Sequence, residues 1–324
     1  MALHMALHMA MNGRPMMNDN SLVRRIRKLG SVTGVVAGLV VGTMGLPAVA
    51  IASCAGMAQA PGVSPHPYFM KASFRNAAIE LAQVPPQAPL RAPLQAAPGK
   101  PETSAVPKHH MRITFVGHST FEIETPEGVR AQTDFNDYVQ GGRLPHIVTM
   151  NNSHDSHFSF APMKGIEHVL RGWDPKGGIA KHNLMFRDLR VRNVPTNLVD
   201  RGEGKFSNGN SMFVFEVAGL CAVHISHLHH YLSKNQLRAL GLIDIAFAPI
   251  DGMWTMSHDE LFRFLGDIKA RMVIPMHFGS MGGVEAFVAR AQKNWAVRRH
   301  PSNAITLSLR DMPKTPEVVF LQGY

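Results

Sequence analysis

Histidines set just beyond apolar runs are the residues of this sequence best equipped for chemistry. His154 and His157 stand three positions apart in a polar loop after His146-Ile-Val-Thr-Met150. His224-Ile-Ser-His227-Leu-His229-His230 closes a second apolar run, and Ile274-Pro-Met-His277 a third. Neutral imidazole is the commonest metal ligand, and a strand end fixes the backbone while the loop beyond it aims the ring. These three strand ends predict a metal centre, and four of their histidines could close around one divalent cation. Zinc, which takes three or four imidazoles, is the expected ion; iron, copper, nickel and manganese also accept this donor. Four neutral ligands leave the ion its full charge, which would lower the pKa of a bound water and serve hydrolysis if a position stays open. If all four bind tightly, the centre is closed and structural. The plain alternative is that these histidines are polar loop residues.

Two carboxylates belong with them. Asp134 and Asp251 stand at strand ends, where either could orient a ligand histidine or act as general base. Their plain alternative is turn capping, for which Asp251-Gly252 is well suited. His118, Asn152, His229 and His230 are candidates for substrate binding or for supporting the ligands. Alternation along a strand would put His227 and His229 on one side and His224 and His230 on the other. No Ser-His-Asp or Cys-His arrangement is legible.

The elements that must position these groups are mostly strands. Arg112 to Gly117, Thr120 to Thr125 and Val129 to Thr133 alternate in the β manner, and His146 to Met150 reads as a buried strand. His182 to Thr196, Ser211 to Val217 and Leu220 to Ile225 add further strands. The pattern then changes. Helices are predicted from Ser233 to Gly241, from Ser257 to Ala270 and from Gly283 to Lys293, the first two opened by serine caps. Strands Ile243 to Ile250 and Arg271 to Met276 alternate with them, and Ala304 to Leu309 and Val318 to Leu321 finish the chain. Antiparallel strands followed by alternating strand and helix predict an α/β layer fold with two sheets.

Charge separates this folded part from what precedes it. The 324-residue chain carries a net charge of +10. Residues 1–110 hold 10 Lys/Arg against 3 Asp/Glu, or +7, and residues 111–324 hold 23 against 20, or +3. The folded part is thus close to balanced, which argues against a nucleic-acid partner; a small-molecule substrate is the expected partner. Residues 1–54 read as an export signal or lipoprotein leader: Arg24-Arg-Ile-Arg-Lys28 precedes an apolar run from Val32 to Ala52. Ile51-Ala-Ser-Cys54 looks like a lipobox, whose cysteine would carry lipid; an ordinary signal peptide and an uncleaved anchor are the alternatives. Residues 55–110, rich in Pro, Ala and Gln, read as a disordered tether. Residues 111–324 form the domain, placed in the periplasm or on the membrane of a bacterium. The only cysteines, Cys54 and Cys221, imply no disulfide framework, and Cys221 reads as a buried strand residue.

Residues 111–324 resemble the metallo-β-lactamase superfamily, in the branch of ascorbate-6-phosphate lactonase and N-acyl-phosphatidylethanolamine phospholipase D. The resemblance rests on Phe115-Val-Gly-His118-Ser-Thr-Phe, Thr133-Asp134, the stretch Val148 to His157, Ser207-Asn-Gly-Asn-Ser-Met-Phe, Ala222-Val-His-Ile-Ser-His, Ala248-Pro-Ile-Asp-Gly and Val273-Ile-Pro-Met-His277. It implies a four-layer αββα sandwich with one or two metals, usually zinc, at one edge of the sheets. The chain departs from the family pattern. Where the family has His-x-His-x-Asp-His, it reads Asn152-Ser-His154-Asp-Ser156-His157. Leu198 aligns with the family's third histidine, and His227 with its bridging aspartate. His154, His157 and His277 carry over directly, and with His227 the resemblance implies four imidazoles that could close around one divalent ion. The expectation is an exported metal-dependent hydrolase, with metal-bound hydroxide attacking an ester, lactone, amide or phosphoester. The alternative is a non-catalytic envelope protein of the same fold that binds a ligand or metal without turnover.

Overall fold

The computed structural model describes Cys54 and residues 105–139, 141–200, 204–278 and 283–323. The apolar run from Val32 to Ala52 and most of the tether lie outside the described residues. Among the described residues no helix is long and apolar enough to cross a membrane. Val106 is buried, and the first strand begins at His110, one residue before the expected start at Met111.

Two sheets form the expected sandwich. The first is built from β1 (His110–Gly117), β2 (Thr120–Glu124), β3 (Arg130–Gln132), β4 (Ile147–Met150), β5 (His168–Arg171) and β13 (Ala304–Ser308), in the order β13-β1-β2-β3-β4-β5. The second holds β6 (Asn183–Phe186), β7 (Leu189–Asp200), β8 (Gly204–Val217), β9 (Leu220–His224), β10 (Ile245–Pro249), β11 (Met272–Met276), β12 (Ala296–Arg299) and β14 (Glu317–Phe320), in the order β12-β14-β11-β10-β9-β8-β7-β6.

The period-two pattern decides which side chains meet. Met111, Ile113 and Phe115 of β1 and Phe121 and Ile123 of β2 face Phe213, Phe215, Phe247 and Ile274 of the second sheet in one buried cluster. The Phe121 and Phe247 rings stack across the layers at 4.4 Å. Each such side chain contributes roughly 1.5–3 kcal/mol by leaving water. The alternate positions of β1 and β2 carry Arg112, Glu122 and Glu124, which bond to one another and to Arg143 and Gln132 on the outer face.

Three helices cover the other face of the second sheet: α1 (Lys234–Leu240), α2 (His258–Asp267) and α3 (Gly283–Ala291). Ser233 and Ser257 cap the first two through capping boxes, as the sequence predicts. Arg192 donates to the carbonyls of Ala239 and Leu240 at the end of α1. The fold is the α/β sandwich expected. Among the described residues, however, all three α-helices join the core against the second sheet, and charged side chains and loops dress the outer face of the first.

Cys54 is the largest departure from expectation. Its sulfur is bonded to Cys221, with the Cα atoms 5.9 Å apart, so the two cysteines pair after all. Cys54 is buried in the core cluster with Leu240 and Ile243, and its carbonyl accepts from the Leu242 amide. A sulfur in a disulfide cannot carry the thioether of a lipid, so the lipobox reading does not fit this structure. Spacing could not reveal the pair, because 167 positions separate its members.

Candidate metal centre

Strand direction brings the predicted residues to one edge. β1 and β3 each pair antiparallel with β2, so they run the same way, and β3 and β4 are parallel. His118, Asp134 and the loop with His154 and His157 therefore leave the first sheet on one side. β9, β10 and β11 are mutually parallel and deliver His227, Asp251 and His277 together. Carboxyl ends of parallel strands are where open α/β sheets place their ligands. The His277 amide donates to the His118 carbonyl at 2.9 Å and ties the two sheets at this edge.

The backbone bends sharply here. His118, Asp134, Ser226 and His277 all have positive φ, from 41° to 58°, without being glycine. Such conformations cost on the order of 1–3 kcal/mol each and cluster at functional sites.

His154, His157, His227 and His277 converge as expected. One nitrogen from each lies within 4.8 Å of the others. The Nε2 atoms of His154 and His227 are 3.2 Å apart. Bonds of ~2.0–2.1 Å to a tetrahedral ion set donors roughly 3.4 Å apart, so this pair already has the right spacing. The wider separations favour an approach by His154, the exposed member of the set. His157 and His277 are buried, and the Nε2 of each has no hydrogen-bond partner among the described residues. Bare buried ring nitrogens are costly unless something accepts their lone pairs, and a cation does so. The residues present therefore fit a metal ion.

The other ring nitrogens are held from behind. His157 Nδ1 donates to Asp134 Oδ2 at 2.6 Å, and Ser119 Oγ lies 3.1 Å from the same nitrogen. Asp134 Oδ1 accepts from Asn151, whose own oxygen accepts from the Ser211 amide. His277 Nδ1 donates to Asp251 Oδ2 at 3.1 Å. The other Asp251 oxygen accepts from the amides of Met253, Trp254 and Thr255. Carboxylates behind ligand imidazoles fix the tautomer and ring orientation. The two neutral supports are different: His227 Nδ1 meets His229 Nε2 at 2.7 Å, and His154 Nδ1 meets Ser156 Oγ at 2.8 Å.

Charge follows from this packing. Burial alone would raise the Asp134 carboxyl, but the nearby His224 and His157 and the hydrogen bonds from His157 and Asn151 hold it at about 2. Burial of Asp251 is likewise outweighed by hydrogen bonds from His277 and Thr255, and its pKa lies well below the usual carboxylate range. Burial and the neighbouring His157 and His277 push His154 down to about 4. Burial first, and then the surrounding imidazoles, push His227 well below its ordinary 6.5. The His154 and His227 rings are thus neutral and ready to bind a cation near neutral pH.

Some expected site residues lie elsewhere or act differently. Asp134 is completely buried behind His157, so it orients a ring rather than facing substrate. His230 leaves the centre: its Nε2 accepts from the Asn197 amide on β7, and its Nδ1 donates to the Tyr231 carbonyl. Asn152 is exposed, whereas Asn151 is buried and supports Asp134. The strand ends at His224, so alternation does not extend to His230. Sequence reasoning assigned no site role to Ser119 or to buried His224, whose Nε2 donates to the Ser119 carbonyl. Ser119 stands directly after His118 in the strand-end turn, and that position was the available signal.

With fold and centre described, the relationship to known proteins is plain. Residues 112–277, just over half of the chain, match the model of the beta-lactamase superfamily domain. The chain belongs to the metallo-β-lactamase superfamily. A protein of Methanoculleus marisnigri named UPF0173 metal-dependent hydrolase is 22% identical over 209 residues, covering 58% of this chain and 92% of that one. A Solibacter usitatus protein of the same name is 26% identical over 198 residues, 52% of this chain and 86% of that one. A solved structure of a Thermotoga maritima protein of the superfamily has 24% identity and a TM-score of 0.48, covering 65% of this chain and 98% of that one.

Proposed function

We propose that this chain is a metal-dependent hydrolase whose single divalent ion is held by His154, His157, His227 and His277. One observation carries the reading: the Nε2 atoms of His157 and His277 are buried without partners among the described residues, inside a group of four imidazoles. The names of the relatives from Methanoculleus marisnigri and Solibacter usitatus agree with it. A divalent cation in such a site polarises a carbonyl or phosphoryl oxygen and lowers the pKa of water toward neutrality. The chain's own residues prepare for this. Asp134 and Asp251 accept the Nδ1 protons of His157 and His277 and thereby present the Nε2 lone pairs to the ion. His229 and Ser156 do the same for His227 and His154 with neutral groups. The substrate class is a small ester, lactone, amide or phosphoester. Zinc is the first candidate ion, given its acceptance of imidazole ligands.

We further propose that the domain is exported. The basic and apolar leader supports this, as does the Cys54–Cys221 bond, since disulfides persist in oxidising compartments. Retention of that bond requires any cleavage of the leader to fall before residue 54.

The non-catalytic reading gains from one observation. Both site carboxylates are engaged behind rings, so neither is left free to take a proton. Elemental analysis of the full chain purified without added metal, with an esterase, lactonase and phosphodiesterase screen, separates the two. About one metal per chain with turnover lost in His277→Ala supports the hydrolase. Stoichiometric metal with no turnover on any substrate class supports the binding protein, and metal-free protein that still hydrolyses substrate sinks both.

A further inference from the structure

His118 stands beside the four imidazoles without being one of them. It leaves β1 with φ at 52°, a left-handed conformation uncommon for any residue but glycine. Its ring centroid lies 4.5 Å from that of His277 and 5.3 Å from that of His157. Its carbonyl holds the His277 amide, so its backbone is fixed to a proposed metal ligand. Its Nε2 is buried and has no partner among the described residues. The bare Nε2 atoms of His157 and His277 are explained by the cation. That of His118 is not, since His118 is outside the group of nitrogens that lie within 4.8 Å of one another. Unlike His157 and His277, its ring has no carboxylate bonded behind it among the described residues. A strained backbone that aims a bare imidazole nitrogen beside a cation site calls for a ligand atom that arrives with the substrate.

We propose that His118 is a catalytic residue, whose Nε2–H donates a hydrogen bond to the substrate oxygen that the cation polarises. This rests on the hydrolase reading and adds the group that would meet charge as it develops on that oxygen. A preorganised donor so placed typically changes kcat by about 10²–10³.

The test uses the full-length, metal-loaded protein and three variants. His118→Asn keeps a residue that tolerates the left-handed backbone but is too short to reach. His118→Gln offers an amide N–H of longer reach. His118→Glu offers only an acceptor when ionised. Metal content, thermal melting, kcat on whichever ester, lactone or phosphoester is turned over, and calorimetric affinity for inorganic phosphate are measured for each. The expected result is about one metal per chain throughout, with kcat lowered about 10²–10³ in His118→Asn and partly restored in His118→Gln but not in His118→Glu. Phosphate affinity should fall about tenfold in His118→Asn. Metal lost together with activity would make His118 a ligand and overturn the proposal. Better rescue by Glu than by Gln would make it a base and overturn it too. If the wild-type protein turns over nothing, the hydrolase reading fails, and the phosphate affinities alone decide the role of His118: no change in His118→Asn overturns it.

Discussion

The two halves of the metal centre are built on different supports. His157 and His277 are buried, and each is backed by an ionised aspartate that is itself tied to the fold. His154 and His227 meet each other through Nε2 and are backed by a hydroxyl and by another imidazole. The first half keeps residues that match the family pattern. In the second, His227 stands where the family has an aspartate. The group behind that ligand is another imidazole, His229, rather than a carboxylate. The contrast separates an electrostatically anchored pair from a pair held by geometry.

Substitutions can break this contrast. The largest effect is expected for His277→Ala, which removes an anchored ligand and should take metal content from about one ion per chain to near none, measured by elemental analysis. Double replacement of Cys54 and Cys221 by alanine should lower unfolding stability by about 3–5 kcal/mol in denaturant titrations. Metal affinity should hardly change, because the bond lies at the start of β9 and the ligands lie past its end. Asp134→Asn should weaken metal binding by about 10–100-fold, seen by competition with a chelator. His229→Gln, on the neutral side, should cost less than about tenfold, and an equal loss would erase the distinction between the halves.

Acid gives a further test. His118, His154, His224 and His227 all have lowered pKa values in the fold, at about 3 for His118 and about 4 for His154. The unfolded chain therefore binds protons first, below the ordinary value of 6.5. Stability from these groups is complete above about pH 6.5 and lost as pH falls from there toward 4. The melting temperature of metal-free protein should drop over that window. A melting temperature constant across it would show that the rings are not buried neutral.

Much of this was legible in the sequence because it depends on local rules. The helix caps at Ser233 and Ser257, the alternation in β1 and β2, and the strand-end histidines need only neighbouring residues. β5 and β12 were not read: each is four residues long and largely unburied, with only Leu170 of β5 in the core. β7 and β8 run further than their apolar cores suggest, because their pairing continues past a register shift between Thr196 and Leu198. The long-range features escaped. Nothing near Cys54 announces Cys221, and nothing near His230 announces the Asn197 amide that takes its ring out of the centre.

The left-handed bends at His118, Asp134, Ser226 and His277 bear on any attempt to move this centre elsewhere. Side chains of the right kind on straight strand ends would point past one another. A transplanted version would have to import four kinks of the main chain along with the rings, and β-branched residues at those bends would be rejected whatever their chemistry. What a designer would need to copy is the path of the backbone first and the list of imidazoles second.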